Sequence, residues 1–237
     1  VGLTGIYSEK GWEEGKLMSD VEVRKYRAQD RQSIRDICCD TGFFGRPIEL
    51  VFRDRELFAD LFTRYYTDEE PESAFVAECK GEVIGYLLGC KDSKKFRKYL
   101  ISKVILPRLP ELIWRYFTWY DKRDREYVRW LLFRSWKEMP KTPENAAHFH
   151  FDLRKEYRGK GIGKRLLNRF IIYLKENKVK RVYGGVLSFE RKRTEKLYRR
   201  VGFKIYDKKK VSMWKDEGGE KIFWLRVVKE IGEENEP

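Results

Sequence analysis

The stretch FDLRKEYRGKGIGKRLL, residues 151–167, places glycines at 159, 161 and 163, where helical periodicity begins. Glycine weakens a helix and permits backbone angles closed to other residues. Three at alternate positions therefore specify a tight turn whose backbone something approaches closely. Strand alternation precedes the bend in AHFHFDL, 147–153. After it, Leu166, Leu167, Phe170, Ile171 and Leu174 fall on one face of a helix over 163–176. A strand that enters such a bend and leaves as a helix exposes N–H groups without intrahelical acceptors, at the positive end of the helix dipole. The result is an anion site, and Arg158, Lys160 and Lys164 add positive charge around it.

Three phosphate loops compete for this segment. The P-loop needs G-x-x-x-x-G-K-[ST], and GKGIGKR lacks both the spacing and the hydroxyl. The dinucleotide fingerprint G-x-G-x-x-G fails because Lys164 stands three residues after Gly161. What remains is R-x-x-G-x-G, read here as Arg158-Gly159-Lys160-Gly161-Ile162-Gly163.

The rest of the chain supplies a frame for the bend. Residues 21–27 alternate like a strand, 29–39 and 54–66 carry helical stripes, and 73–89 read as a hairpin about Lys80-Gly81. Residues 91–145 interrupt the pattern with two or three helices, expected to break near Pro107, Pro110 and Pro140. Strands follow at 147–153 and 180–186, a short basic helix at 191–200, and two closing strands around DEGG, 216–219. The order β-α-α-β-β-insert-β-α-β-α-β-β predicts one α/β domain with a mixed sheet. We expect the domain to span 18–232, with an acidic tail at 233–237. MSDVEVRKYR from Met18 reads as a natural start, so residues 1–17 are expected to be a leader or extension outside the fold.

The 237 residues carry a formal charge of +14. Such an excess favours anionic partners such as phosphorylated cofactors or nucleic acid. Residues 91–145 hold 15 basic and 7 acidic side chains, so more than half of the excess lies in this insert. Cys38, Cys39, Cys79 and Cys90 have neither metal-ligand nor disulfide spacing. Reduced thiols, a cytoplasmic location and no bound metal are the expectations. No apolar run approaches membrane-spanning length, and no membrane partner is expected.

On the R-x-x-G-x-G bend and on LYRRVGF, 197–203, the chain resembles the GNAT superfamily of N-acetyltransferases, whose second marker is L-Y-x-x-x-G-F. Within it, EPESAFVAECKGEVIGYLLGCKDSKKF, 70–96, and HFD, 150–152, look like the acetyltransferase-like domain attached to eukaryotic O-GlcNAcase and its free-standing prokaryotic relatives. The superfamily resemblance implies a mixed, mostly antiparallel sheet flanked by helices, with 91–145 as a helical insertion. It implies acetyl-CoA as co-substrate, its pyrophosphate held by Arg158, Gly159, Lys160, Gly161, Ile162, Gly163 and Lys164. It also implies a backbone N–H near Leu153 as donor to the thioester carbonyl, and Tyr198 as the acid for the departing thiolate. Many superfamily members carry an asparagine seven residues before that tyrosine. Here the position is Arg191, with Ser188 or the 191–193 cluster as substitutes for its contact.

Acetyl transfer to an amine needs a base, an oxyanion donor and an acid, and neither a metal nor a covalent enzyme intermediate. The candidate bases are His148, His150 and Asp152, which share one face of their strand. Histidine titrates near neutrality, and Asp152 acts either as the base or as the group that orients a histidine. The resemblance to H-x-D favours Asp152. Asp92 is a candidate for substrate binding or for a cap. The acceptor is expected to be a small-molecule or peptide amine, and the protein a monomer or homodimer. The aromatic insert, with Trp114, Trp119, Trp130 and Trp136, reads first as a helical cap on the sheet. It also sustains a rival, a non-catalytic binding module whose basic aromatic face holds nucleic acid or a protein.

Overall fold

The apolar run 73–89 lies at the heart of the sheet. In this computed structural model, which describes residues 20–190, 194–213 and 220–232, β2 (Ala74–Cys79) and β3 (Glu82–Cys90) form the hairpin. Lys80 and Gly81 turn it with φ of 50° and 84°, the two positive values that match strand twist in a two-residue connection. The leader at 1–17, the 191–193 cluster, the DEGG turn and the tail at 233–237 lie outside the described residues.

Seven strands make one sheet in the order β1-β2-β3-β4-β5-β7-β6. The others are β1 (Val21–Lys25), β4 (Ala147–Leu153), β5 (Arg181–Phe189), β6 (Lys204–Val211) and β7 (Ile222–Glu230). All neighbours are antiparallel except β4 and β5. That mixed, mostly antiparallel sheet is the expected one.

Alternation along the strands sorts the core into two layers. One face of β2 and β3 turns Val76, Tyr86, Leu88 and Cys90 towards α1 (Arg31–Thr41) and α2 (55–68). The other turns Phe75, Ala77, Ile84 and Leu87 towards α6 (Ile162–Glu176), whose Ile162, Leu166, Phe170 and Leu174 are fully buried. β4 divides the same way: Ala147, Phe149, Phe151 and Leu153 join the α6 layer.

The insert holds three helical segments: α3 (93–118), α4 (Lys122–Phe133) and α5 (Ser135–Glu138). The expected breaks at Pro107 and Pro110 do not occur, because α3 runs through both. Proline interrupts a helix by removing a donor and crowding the preceding turn. Here a π-turn over Leu100–Ile105 precedes the prolines, and Leu106 N–H reaches back five residues to the Ile101 carbonyl. The chain instead turns at Tyr120, and Pro140 follows α5 as expected. α3 presents Val104, Leu112 and Tyr116 inward. It leaves Leu109, Ile113, Trp114 and Phe117 exposed, the last at 72%. Arg108 and Arg115 point inward as well, to Asp60 and Asp54, which belong to α2 and its N-cap.

Candidate active site

β4 and β5 pair only over Ala147–Val182, His148–Tyr183 and Phe149–Gly184. Beyond that point β4 continues to Leu153 and β5 to Phe189 without pairing each other. Two parallel strands that part in mid-sheet leave a fork with unpaired main-chain groups along it. Arg154 N–H bonds the Ile84 carbonyl of β3, so by alternation the N–H of Leu153 faces the fork. The Leu153 carbonyl, on the same side, accepts Nε–H of Arg158 at 2.9 Å. The backbone donor expected near Leu153 is thus an amide turned into the gap.

The glycine bend closes one end of the fork, and its three glycines are there for two different reasons. Gly159 and Gly161 have φ of 79° and 80°, with nothing within 4 Å of where a Cβ would stand. Conformation, not crowding, demands glycine at these two, and the space over them is open. At Gly163 a Cβ would lie 3.1 Å from the Phe151 ring, so close helix–strand packing demands it. Gly161 is the N-cap of α6, and its carbonyl accepts from Lys164 and Arg165. The amides of Ile162 and Gly163 therefore open the helix without intrahelical acceptors. Ile162 is fully buried and anchors the turn, while Arg158 and Lys164 are exposed. From Arg154 to Arg165 there are six basic residues and one acidic. These features fit a diphosphate: a cradle that side chains would fill, a helix N-terminus and mobile positive charge.

Arg158 has a second task. Its guanidinium also donates to the Gly45 carbonyl at 3.2 Å, and a Cβ on Gly45 would stand 2.2 Å from that guanidinium. The loop 41–47 is thereby tied to the bend. Its Phe44 stacks on Phe189 at the far end of β5, ring centroids 4.5 Å apart.

The structure separates the two histidines. His148 is buried, with Nε2 3.0 Å from the Tyr66 hydroxyl and Nδ1 2.9 Å from Ser93 Oγ. Burial first, then the charge of Arg226, holds its pKa down to about 3, so it is a neutral, doubly bonded core residue at neutral pH. His150, at the mouth of the fork, has Nε2 3.2 Å from Asp152 Oδ2, and its Nδ1 has no hydrogen-bond partner among the described residues. Its ring lies between Phe62 and Tyr86. Asp152 accepts the Tyr86 hydroxyl at 3.0 Å on the same oxygen.

Tyr198, on α7 (Thr194–Arg200), packs against Phe203 of the same motif. Burial and then the Asp152 carboxylate push its pKa up to about 12. Asp92 stands apart: it caps α3, accepting from Lys94 and Lys95 amides at 2.8 and 3.2 Å, and the reading of it as a cap holds.

Tyr86 and Phe62 are site residues that sequence reasoning missed. A hydroxyl in the middle of the buried strand EVIGYLLGC requires a partner, a signal in the sequence that was passed over. Phe62 belongs to a helical stripe that reads only as core.

Among the described residues, no group of three His, Cys, Asp or Glu could hold a metal ion, and no helix is long and apolar enough to cross a membrane.

Residues 34–203 match the model of the acetyltransferase (GNAT) family. The match covers well over half of the chain, which belongs to that family. Among solved structures, one titled SsHAT is 28% identical with a TM-score of 0.66, covering 90% of this chain and all of that one. An N-acetyltransferase from Staphylococcus aureus Mu50 is 15% identical with a TM-score of 0.53, over 90% and 99% of the two chains. A phosphinothricin acetyltransferase from Sinorhizobium meliloti, solved in complex with AcCoA, is 18% identical with a TM-score of 0.52, over 91% of each. The last two resemblances show a shared fold. These findings reach the family and not the narrower O-GlcNAcase-related group.

Proposed function

We propose that the protein transfers the acetyl group of acetyl-CoA directly to an amine. The fork between β4 and β5, closed by the glycine bend and flanked by the His150–Asp152 pair, carries this reading. The amides of Ile162 and Gly163, with Lys160 and Lys164 beside them, hold the diphosphate. The acyl arm then lies along the unpaired edge of β4.

Asp152 accepts the proton on His150 Nε2, which leaves the lone pair on Nδ1, the atom without a protein partner. Asp152 takes the proton of the incoming amine as its nitrogen bonds to the acyl carbon, because His150 Nδ1 is buried out of the amine's reach. The Leu153 N–H meets the carbonyl oxygen as negative charge builds there. Tyr198, still protonated at neutral pH, gives its proton to the departing sulfur. The proton balance closes when Asp152 returns its proton to solvent and the Tyr198 oxygen takes one back. His150 and Tyr86 fix the Asp152 carboxylate in this scheme.

Calorimetric titration with acetyl-CoA tests the reading. Micromolar binding, lost in Gly161→Glu and accompanied by thiol release with an amine panel, is expected. Salt-sensitive RNA binding without acetyl-CoA binding would instead establish the non-catalytic module.

A further inference from the structure

Arg226 is 7% exposed, and no carboxylate lies within ion-pair distance of it among the described residues. Its Nε is buried without a hydrogen-bond partner. The buried Arg35 is paired with Asp60 and Glu56, and the half-buried Arg24 with Asp30 and Glu78. A buried guanidinium without an anion is costly, and a native structure that keeps one needs a reason for it. The acidic side chain whose field reaches it, Asp207, is engaged by the amides of Lys141 and Lys208. The aromatic beneath it is Tyr183, 4.8 Å from guanidinium to ring centroid. Burial alone pulls its pKa below the ordinary arginine value.

Its place in the sheet says what it is for. Arg226 of β7 is the register partner of Gly185 of β5. Gly184 is the last β5 residue paired with β4, so Gly185 is the first beyond the fork, as His150 is on β4. Paired residues share a face. Arg226 therefore lies on the face of Tyr183, whose ring stacks on His148, and His148 shares its strand face with His150 and Asp152. Gly185 keeps this position open, because a Cβ there would stand 3.0 Å from Trp224 Nε1 and 3.1 Å from the Arg226 guanidinium.

Resting on the acetyltransferase reading, we infer that Arg226 is the anchor for an anionic group on the acceptor, so that the substrate is an amine that also carries a carboxylate or phosphate. The guanidinium offers a planar fork of donors that matches either oxyanion. It lies at the level of the fork where the His150–Asp152 pair meets the amine, two strands from β4 with β5 between. An acceptor bound there presents its anion to Arg226 and its nitrogen to the His150–Asp152 pair. The anion supplies the partner that the fold withholds.

Two measurements test this, and the first needs no acetyl transfer. In a Gly161→Glu background, where the phosphate bend is blocked, melting is followed in sodium chloride, sodium acetate and sodium phosphate at equal ionic strength. We expect acetate or phosphate to raise the melting temperature by several degrees relative to chloride, and Arg226→Met to abolish that rise. In chloride, Arg226→Met should melt no lower than its parent, because an unpaired buried charge has been removed. A rise that survives Arg226→Met, or no rise with either anion, overturns the inference. Should Arg226→Met fail to fold, Arg226→Lys keeps the charge without the fork, and it must lose most of the rise. The anion that acts better names the group.

The second measurement compares β-alanine with β-alaninamide and O-phosphoethanolamine with ethanolamine as acceptors, by thiol release. We expect kcat/KM to favour one anionic member by at least about tenfold, with Arg226→Met erasing the preference and leaving acetyl-CoA affinity unchanged. Equal use of charged and neutral members sinks the inference while the acetyltransferase reading stands. Absence of transfer to any amine sinks that reading, and the melting experiment still decides what Arg226 holds.

Discussion

Tyr86 and His150 converge on one oxygen atom: Asp152 Oδ2 accepts the tyrosine hydroxyl at 3.0 Å and faces His150 Nε2 at 3.2 Å. Tyr86 is fully buried, so it reaches no substrate and acts only through the carboxylate. Asp152→Asn should lower kcat by about 10²-fold or more, in the range of lost general acid–base function. Tyr86→Phe should lower it less, about tenfold from one lost hydrogen bond to a charged group, with acetyl-CoA affinity unchanged. Steady-state kinetics on both variants decides this, and equal losses would show that Tyr86 does more than fix its neighbour.

The glycines of the bend should separate by substitution. Gly161→Ala places a side chain at φ 80°, costs about 1–2 kcal/mol for a left-handed residue and obstructs the diphosphate. Both the melting temperature and acetyl-CoA binding should fall. Gly163→Ala meets the Phe151 ring instead, so stability should fall while binding of acetyl-CoA to the folded protein changes little. Calorimetry beside thermal melting distinguishes the two.

Tyr198 keeps its proton up to about pH 12. An acid of that kind sets no alkaline limit on the rate below about pH 11. Tyr198→Phe should reduce kcat by at least about tenfold at all pH values between 7 and 10, with little effect on acetyl-CoA affinity. A variant with unchanged kcat would remove the acid role.

His148 makes the fold acid-sensitive. Its folded pKa of about 3 lies below the unfolded value of about 6.5. Between those values the unfolded chain binds the extra proton, so its contribution to stability is complete above pH 6.5 and is lost as pH falls towards 3. The slope approaches about 1.4 kcal/mol per pH unit in that window. Urea unfolding from pH 7 to pH 4 measures it, and His148→Gln should show a slope shallower by most of that amount.

Much of the fold was legible from local pattern. The Lys80-Gly81 hairpin, the strand–bend–helix unit and the order of elements follow from periodicity and turn chemistry, which act over a few residues. The glycine cluster was legible as a left-handed bend opening a helix because its reason is local. The distinction between His148 and His150 was not. Both alternate on one strand, and only Tyr66, Ser93 and the point where β5 departs set them apart. Arg226 in IFWLRVVKE reads as an ordinary polar position, because burial without a partner depends on neighbours over 40 residues away. The helix through Pro107 and Pro110 was misread because the compensating π-turn has no sequence signature.

That π-turn sets an angular phase. One extra residue over Leu100–Ile105 advances everything downstream by about 100° around the helix axis. It is in this register that Arg108 and Arg115 meet Asp60 and Asp54 while Trp114 and Phe117 look outward. Deleting a single residue there would dial the indole and phenyl rings towards α2 and swing the two guanidinium groups into water. The helix that carries Phe62 beside His150 would lose its clamps without any change in its own sequence.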